Sequence, residues 1–514
     1  MGSQKPDFEG SYYDFRGGID TKHAAYMVFD NQLVTAEDSI LHRGGIRKTS
    51  GHSAVFGSIP AASRGLSLFR AYDLVSGTKL LYQLATGRAY RVSGTTAAAI
   101  GSGFGASAKL SWTVANRKVY AANGTAYRAY SGNAAVAMYS ATAPAQTPRF
   151  VYYHQDSNRL FAGRGTTAVN RVYFSDINAF ETWPSNNFFD IPESRMGDQV
   201  TGFARLFGNL VIFGERTISI LYGRVPSDYR LRTLEWNNGC PFPFSIAEFD
   251  GYVMYARPNG IFKFDGSGPA QKLSDSIDSI VGDITVNENG PVGTPTSEGF
   301  YLLSYKSKTA TPANNALQND REITVIPPSQ EAPYWHFQGP NKRGFSHYSR
   351  WTGSTDSDET YAITSDTTGQ LAKLTGRYLY LNSDIDMVLE TKQYDLGSPF
   401  IRKVFSEIEI HVEAVANITL RAQYKVDNEV AWRDLGAINL GKTGPVYGDK
   451  LTDQTDRNRI IHPIVIDESA APVGNCIQLR FRQQTVHGST ATNLTTNILG
   501  WAIRGYRWGI SRGR

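Results

Sequence analysis

The sequence predicts an all-β protein: a β-propeller of about seven blades, followed by a C-terminal β-sandwich and preceded by an extended N-terminal arm. Two observations carry this prediction. A strand–turn–strand unit recurs through the middle of the chain at intervals of roughly 40 to 50 residues, the period of a four-stranded propeller blade. Beyond Tyr380 the repeat gives way to longer alternating strands, which are typical of a sandwich.

The composition favours many short strands over helices. The chain has 514 residues with 49 glycines, and 12% of its residues are aromatic while 19% are charged. That balance is typical of turn-rich β-proteins. Because the chain is too long for a single core, we expect two or three domains. We place the arm at residues 1–57, the propeller at 58–382 and the sandwich at 383–514.

Charge, cysteine content and apolar runs exclude several classes of protein. The formal net charge is +5, so the chain as a whole is not an electrostatic trap for nucleic acid and any basic surface must be local. Cys240 and Cys476 lie far apart, which argues against a zinc site or a disulfide scaffold and fits synthesis in a reducing compartment. The sequence contains no apolar signal segment and no apolar run of membrane-spanning length, so we expect neither export by a signal peptide nor a membrane-spanning segment.

The first 57 residues carry few large apolar side chains. We interpret them as an extended arm that gains order from a neighbouring domain or subunit. A flexible leader is the alternative. Within the arm, Thr35 is a candidate N-cap for a short helical turn over residues 36–40.

Each copy of the repeat joins an apolar strand to a second alternating strand through a turn of Gly, Asn or Lys. Clear copies are TKLLYQLATGRAYRV at residues 78–92 and YVMYARPNGIFKFDG at residues 252–266. A unit with one apolar face cannot stand alone, so stacked copies should bury their faces against one another. We expect Phe161, Phe213 and Tyr255 to be among the aromatic side chains that seal the blades.

Strict alternation over residues 407–412 marks the first long strand of the predicted sandwich. A polar segment at residues 441–458 is too long for a hairpin turn, and we interpret it as an exposed loop that contacts a partner. Mixed charge suits such a contact. Its candidate interface residues are Lys442, Asp449, Lys450, Asp453, Asp456 and Arg457.

The best candidate for enzymatic chemistry is SDINAFETW at residues 175–183, which resembles the Asp-box of sialidase propellers. It lacks the glycine of that motif and is one residue too long. Glycoside hydrolysis also needs two carboxylates across one bond, and Asp176, Asp190 and Glu193 qualify by residue type alone. A turn-stabilising aspartate beside a packed tryptophan is the simpler interpretation.

Other catalytic and ligand-binding signatures are missing from the sequence. The segment GSGFG at residues 101–105 is followed by neither a helical pattern nor a Lys-Ser/Thr pair, so it predicts a turn. Several histidines stand singly, without the spacing of metal ligands. We therefore expect no catalytic residue, no metal and no cofactor. The histidines in question are His154, His336, His347 and His411.

Two basic clusters remain, HRGGIRK at residues 42–48 and WAIRGYRWGISRGR at residues 501–514. Arginine interleaved with Trp and Tyr suits phosphate contact and base stacking. It equally suits a contact between subunits, or a final sandwich strand with a solvated tail. The candidate contact residues are Arg43, Arg47, Lys48, Arg504, Arg507, Arg512 and Arg514.

Three stretches resemble tail proteins of short-tailed double-stranded DNA phages, the proteins called tail hub, packaged-DNA stabilisation or tail nozzle proteins. They are GGIDTKHAAYMVFDNQLVTAEDSILHRGGIRKTSG in the arm, NRLFAGRG…GDQVTGFARLFGNLVIFGERTISILYG in the propeller, and ETKQYDLGSPFIRKVFSEIEI at the start of the sandwich. Together the resemblance spans nearly the whole chain. Its elements are loose patterns with no catalytic signature.

The resemblance implies a structural component of the virion tail, assembled in the host cytoplasm. Such proteins usually form a hexameric ring below the portal and adaptor rings, where they close or extend the channel for DNA ejection. The implied partners are further copies of the chain, adaptor or portal-side ring proteins, and tail fibre or tail-tip proteins. Packaged double-stranded DNA would be a transient contact.

A second hypothesis belongs to a different class: a propeller that binds or cleaves a host-surface polysaccharide. The first hypothesis predicts a closed ring or association with other tail proteins. The second predicts sugar binding by the isolated monomer.

Overall fold

The computed structural model is almost entirely β-structure. It describes residues 6–42, 44–49, 51–55, 63–72, 74–77, 79–93, 96–133, 136–192, 197–287, 290–296, 299–309, 319–325, 335–337, 344–352, 358–366, 368–374, 379–380, 383–414, 419–439, 458–465, 471–483 and 496–507.

The chain divides into two compact units. One contains residues 1–53, 324–339 and 375–514, and the other contains residues 54–323 and 340–374. The predicted arm and the predicted sandwich therefore lie together in the first unit. The second unit is the propeller.

The arm consists of short strands. The helical turn predicted over residues 36–40 is wrong, because residues 32–37 and 39–42 are both extended, with Asp38 between them at a φ of 52°. The strands are β1 (Phe8–Tyr13), β2 (Gly18–Ile19), β3 (Gln32–Glu37), β4 (Ser39–His42), β5 (Gly45–Lys48) and β6 (His52–Ala54).

The described residues of the propeller unit form seven blades. The first five are four-stranded antiparallel sheets whose strands follow chain order. The first blade contains β7 (Gly65–Ala71), β8 (Lys79–Leu84), β9 (Arg88–Ser93) and β10 (Thr96–Ser102), and the second contains β11 (Ser111–Ala115), β12 (Lys118–Ala122), β13 (Tyr127–Tyr130) and β14 (Tyr139–Ser140). The third contains β15 (Phe150–His154), β16 (Arg159–Gly163), β17 (Arg171–Phe174) and β18 (Phe188–Asp190), and the fourth contains β19 (Val200–Leu206), β20 (Asn209–Gly214), β21 (Ile218–Tyr222) and β22 (Arg230–Glu235). The fifth contains β23 (Ala247–Phe249), β24 (Tyr252–Arg257), β25 (Gly260–Phe264) and β26 (Gln271–Lys272).

Each of the last two blades contains three consecutive strands from the part of the chain between residues 292 and 374. The backbone N–H of Val55 donates to the carbonyl of Leu371 over 2.9 Å, so the start of the unit extends the seventh blade. A short helix, α1 (Asp278–Gly282), and 3-10 turns at Pro226–Asp228, Pro243–Ser245 and Asp275–Ile277 interrupt the strands. The sixth blade contains β27 (Val292–Pro295), β28 (Tyr301–Tyr305) and β29 (Arg321–Val325), and the seventh contains β31 (Phe345–Thr352), β32 (Asp358–Thr364) and β33 (Leu371–Leu374). Between these blades, β30 (Trp335–Phe337) belongs to the first unit.

The first strands of the blades form a closed ring. In order around it, β7, β11, β15, β19, β23, β27 and β31 each contact the next, and β31 contacts β7. This closure identifies the unit as a seven-bladed propeller and confirms the predicted blade number. Phe161, Phe213 and Tyr255 are all 0% exposed, as predicted for side chains that seal the blades.

The sandwich is built from both ends of the chain. One sheet has the order β4–β5–β43–β37–β40, with β1 also on β43 and β41 on β37; the other contains β3–β36–β42–β38–β39, with β2 and β30 on β3. The strands after residue 374 are β34 (Leu379–Tyr380), β35 (Ser383–Asp384), β36 (Met387–Tyr394), β37 (Lys403–Ala414), β38 (Thr419–Val426), β39 (Arg433–Asn439), β40 (Asn458–Val465), β41 (Val473–Gly474), β42 (Ile477–Gln483) and β43 (Thr496–Arg507).

The arm gains its order from these sheets. All six residues of β1 pair with β43, from Phe8 opposite Gly505 to Tyr13 opposite Gly500. Phe15, just beyond β1, is only 1% exposed. The arm is therefore part of the sandwich core. Among the described residues, no helix combines the length and apolar character needed to cross a membrane.

Candidate functional site

Arg504, one of the predicted contact residues, lies in the middle of a cluster of carboxylates. On β43 it stands directly opposite Glu9 of β1 on one side and Glu407 of β37 on the other. Its guanidinium nitrogens lie 2.7 Å from Glu409, 3.0 Å from Glu9 and 3.2 Å from Glu407. Three negative charges surround this one cation, so Arg504 has little positive potential left for a phosphate.

Of the other predicted basic residues, the structure describes Arg47, Lys48 and Arg507, and these three do not form one exposed surface. Lys48 is buried on β5, and Arg47 beside it is half-buried. Arg507 is exposed at the end of β43, where its backbone N–H donates to the Asp7 carboxylate over 3.0 Å. Arg43, Arg512 and Arg514 lie outside the described residues, as do the six candidate residues of the 441–458 loop.

The segment that resembles an Asp-box is a turn between β17 and β18. The backbone N–H of Asp176 donates to the Thr182 carbonyl over 3.0 Å, and the Trp183 indole donates to the Thr142 carbonyl over 2.9 Å. The carboxylate of Asp190 accepts hydrogen bonds from Nε and Nη2 of Arg171, at 2.7 and 2.9 Å. Glu193 lies outside the described residues. These contacts fit the turn-stabilising interpretation.

Within the described ranges, no group of three or more His, Cys, Asp or Glu side chains is arranged to hold a metal ion. His154 bonds to Ser157 over 2.9 Å inside the propeller. His347 lines a cavity of about 200 Å³ among the inner strands, where burial and the nearby Lys109 lower the pKa of its imidazole to about 3. His411 contacts the Tyr13 hydroxyl in the sandwich. The side chain of His336 is outside the described set.

One end of the sandwich is formed by three loops, residues 24–31, 395–402 and 427–432, which we call the sandwich tip. Strands β36 and β38 both end beside Ile477, the first residue of β42. The loops that follow them therefore emerge at the same end of the sheet. The arm contributes the third loop.

Gln393 joins the arm loop to the turn after β38. Its backbone N–H donates to the Ala25 carbonyl over 3.0 Å, and its side-chain amide donates to the Asp427 carbonyl over 2.8 Å. Next to it, the Lys392 ammonium lies 2.9 Å from the Asp30 carboxylate. These bonds fix two of the three loops against the end of β36.

Lys403 fixes the third loop. Its buried ammonium donates to the carbonyls of Ser398, Ile401 and Asn475 over 2.6, 2.9 and 2.9 Å. Burial lowers the pKa of this ammonium. Asn475 in turn donates its backbone N–H to the Asp427 carboxylate over 2.7 Å. The three loops thus belong to one hydrogen-bonded assembly.

This assembly presents large apolar side chains to solvent. Exposed apolar side chains on adjoining loops favour an interaction surface, and aromatic residues and methionine are enriched in interfaces between proteins. This feature could not be predicted from the sequence, because apolar residues in loops follow no strand or helix period. The exposed side chains are Tyr26 (67%), Met27 (56%), Phe29 (72%), Phe400 (95%) and Val430 (92%).

No protein-family model matches this sequence, and no curated protein matches it. Among solved structures, BamB from Moraxella catarrhalis aligns with a TM-score of 0.36 and 11% identity, covering 66% of this chain and 96% of that one. BBS1N in complex with ARL6DN aligns with a TM-score of 0.41 and 10% identity, covering 65% and 99%. The computationally designed Ika8 protein aligns with a TM-score of 0.35 and 8% identity, covering 63% and 100%. The propeller assignment rests on the closed ring of strands in this chain.

Proposed function

We propose that this chain is a structural protein of a phage tail that assembles as a ring, hexameric by resemblance, below the portal and adaptor rings. In that place it would close or extend the channel for DNA ejection, and it would act by position rather than by catalysis. The support for a phage tail as the assembly is the sequence resemblance. Segments of the arm, the propeller and the sandwich resemble tail hub and tail nozzle proteins.

The observation that carries an assembly role is the sandwich tip. Phe400 and Val430 are almost fully exposed, although their loops are held by buried Lys403 and by Gln393. A fixed loop loses little conformational entropy on binding, so little of the free energy gained by burying its apolar side chains is offset. The tip is therefore suited to docking on another protein.

The occupant we propose for the tip is a neighbouring copy of the chain. Cyclic rings use heterologous contacts, in which one surface of a subunit meets a different surface of the next. An apolar patch at one end of the sandwich fits that requirement, because such a patch need not be complementary to itself. The charged 441–458 loop remains the second candidate surface, and Arg507 remains a candidate DNA contact.

Ring formation by the purified full-length chain tests the proposal. Mass determination in solution and electron micrographs should show a closed ring, alone or with the adaptor-side tail proteins. The double variant Phe400→Ser/Val430→Ser should remain monomeric with an unchanged melting temperature, since both side chains are exposed.

The matched control removes two exposed apolar side chains of the propeller, in the variant Val75→Ser/Val286→Ser. It should assemble as the unmodified chain does. A tip variant that still forms rings would remove the tip from the interface. A chain that stays monomeric with every tail protein present would overturn the ring.

A further inference from the structure

A large cavity opens where the inner strands of the first five blades end. Its volume is about 790 Å³, within the range of pockets that hold small ligands. Strands β7, β11, β15, β19 and β23 occupy equivalent positions in their blades, so their ends meet on one face of the propeller. The lining includes Tyr72, Asn116, Arg117, Tyr152, Tyr153, Gln155, Arg205 and Glu248.

Aromatic rings and uncommitted amides share this lining. Tyr72 is 52% exposed, and Tyr152 and Tyr153 are half-buried beside it. The side-chain amides of Asn116 and Gln155 make no hydrogen bond within the described part of the chain. An aromatic ring offers an apolar face to a ligand, and amides offer both donors and acceptors to hydroxyl groups.

Arg117 stands at a backbone position that favours glycine. Asn116 and Arg117 form the two-residue turn between β11 and β12, with φ angles of 45° and 61°. A turn with both central residues at positive φ usually has glycine second, because a side chain there is strained. Arg117 lines the cavity, and its guanidinium makes no hydrogen bond or ion pair with any described residue.

One carboxylate oxygen of Glu248 accepts two hydrogen bonds, and the other accepts none from the described residues. Its Oε1 accepts from the Tyr152 hydroxyl over 2.8 Å and from the Arg205 backbone N–H over 2.9 Å. The surrounding protein raises the pKa of this carboxyl by desolvation. The Arg205 guanidinium is neutralised by Asp156, at 2.6 and 3.1 Å. Glu248 lines the cavity, and its Oε2 accepts no hydrogen bond from the described residues.

We propose that this cavity binds a saccharide that carries a carboxylate. The sugar ring packs on the tyrosine faces, and its hydroxyls bond to Glu248 Oε2 and the Asn116 amide. Its carboxylate meets the forked donors of Arg117, whose geometry matches a carboxylate. A phosphate-rich ligand fits less well, because Arg205 is already neutralised and Glu248 repels a second anion.

Saccharide binding at this site would be a separate function of the propeller, and it does not depend on ring assembly. Calorimetric titration of the full-length chain with a glucuronate-containing tetrasaccharide tests it, with a glucose tetrasaccharide as the neutral comparison. Arg117→Gly should weaken binding of the acidic sugar by about tenfold to a hundredfold, the value of a charged hydrogen bond. The same change should keep or raise the melting temperature, because glycine relieves the strained turn.

Arg164 provides the matched control, since it is an arginine at a φ of 58° that does not line the cavity. Arg164→Gly should leave sugar affinity unchanged. Three results would each overturn the proposal: no binding of the acidic sugar at millimolar concentration, equal affinity for both sugars, or full affinity in Arg117→Gly. None of them bears on ring assembly, which is measured separately by particle mass.

Discussion

The indole nitrogen of Trp501 donates a hydrogen bond to the hydroxyl oxygen of Tyr394 over 3.0 Å, and the pair joins the two sheets of the sandwich. Trp501 is on β43 in one sheet, and Tyr394 is on β36 in the other. The indole also stacks on Phe15 of the arm at 4.6 Å and packs against Phe481 at 5.2 Å. A residue from the arginine-rich C-terminal segment is thus at the centre of the core.

Truncating this pair should destabilise the sandwich to different extents. Trp501→Ala removes a side chain that is 0% exposed and should lower the free energy of unfolding by about 3 to 5 kcal/mol. Tyr394→Phe keeps the ring but leaves the indole N–H without its acceptor, at a cost of about 1 to 3 kcal/mol. Denaturant unfolding measures both. An unchanged free energy of unfolding in Tyr394→Phe would contradict the assigned hydrogen bond.

In the propeller, Phe213→Ala should cost about 3 to 5 kcal/mol of stability. Phe213 is fully buried and meets the Tyr255 ring edge-on at 5.4 Å, so the truncation leaves a cavity between two blades. Phe207→Ala, at a side chain that is 75% exposed, is the control and should have little effect. An unchanged melting temperature for Phe213→Ala would refute its place in the core.

Deleting residues 1–22 should destabilise the sandwich rather than only weaken assembly. An arm that only gained order from a neighbouring domain could be removed without unfolding that domain. Here the deletion removes the β1 pairing with β43 and the buried side chains Phe15 and Ile19, which are part of the sandwich itself. Removing only residues 1–5 leaves β1 intact and should be harmless. Circular dichroism and thermal unfolding of both deletions distinguish these outcomes.

The propeller should lose stability through His347 as the pH falls. Its pKa is about 3 in the folded chain and about 6.5 in an unfolded one. Between those values the unfolded state holds one proton more than the native state, so stability decreases as the pH is lowered from about 6.5, by up to about 1.4 kcal/mol per pH unit. His347→Phe keeps an aromatic ring beside Phe244 and removes this titration.

Urea unfolding at several pH values between about 7 and 5 measures the effect. The stability difference between the histidine and phenylalanine chains should shift steadily with pH over that interval. Parallel curves would show that His347 does not titrate differently in the two states.

Much of the fold could be predicted because strands and the turns between them have recognisable residue patterns in the local sequence. Alternation within each strand and turn residues between strands marked the blades. Phe161, Phe213 and Tyr255 lie in short apolar runs, and the structure buries them on strands that are covered on both faces. The wrong helical turn after Thr35 has a local cause too, since a capping residue was present but sheet pairing with β36 prevailed.

The all-β class, the propeller period and the change to a sandwich could be predicted without the structure, because each depends on contacts between residues close together in the chain. Three relationships appear only in the folded chain: the pairing of β1 with β43, the position of Glu9, Glu407 and Glu409 around Arg504, and the cavity shared by Arg117 and Glu248. Those contacts join residues that are remote in sequence. Their geometry follows from sheet register and ring closure, which no local pattern encodes.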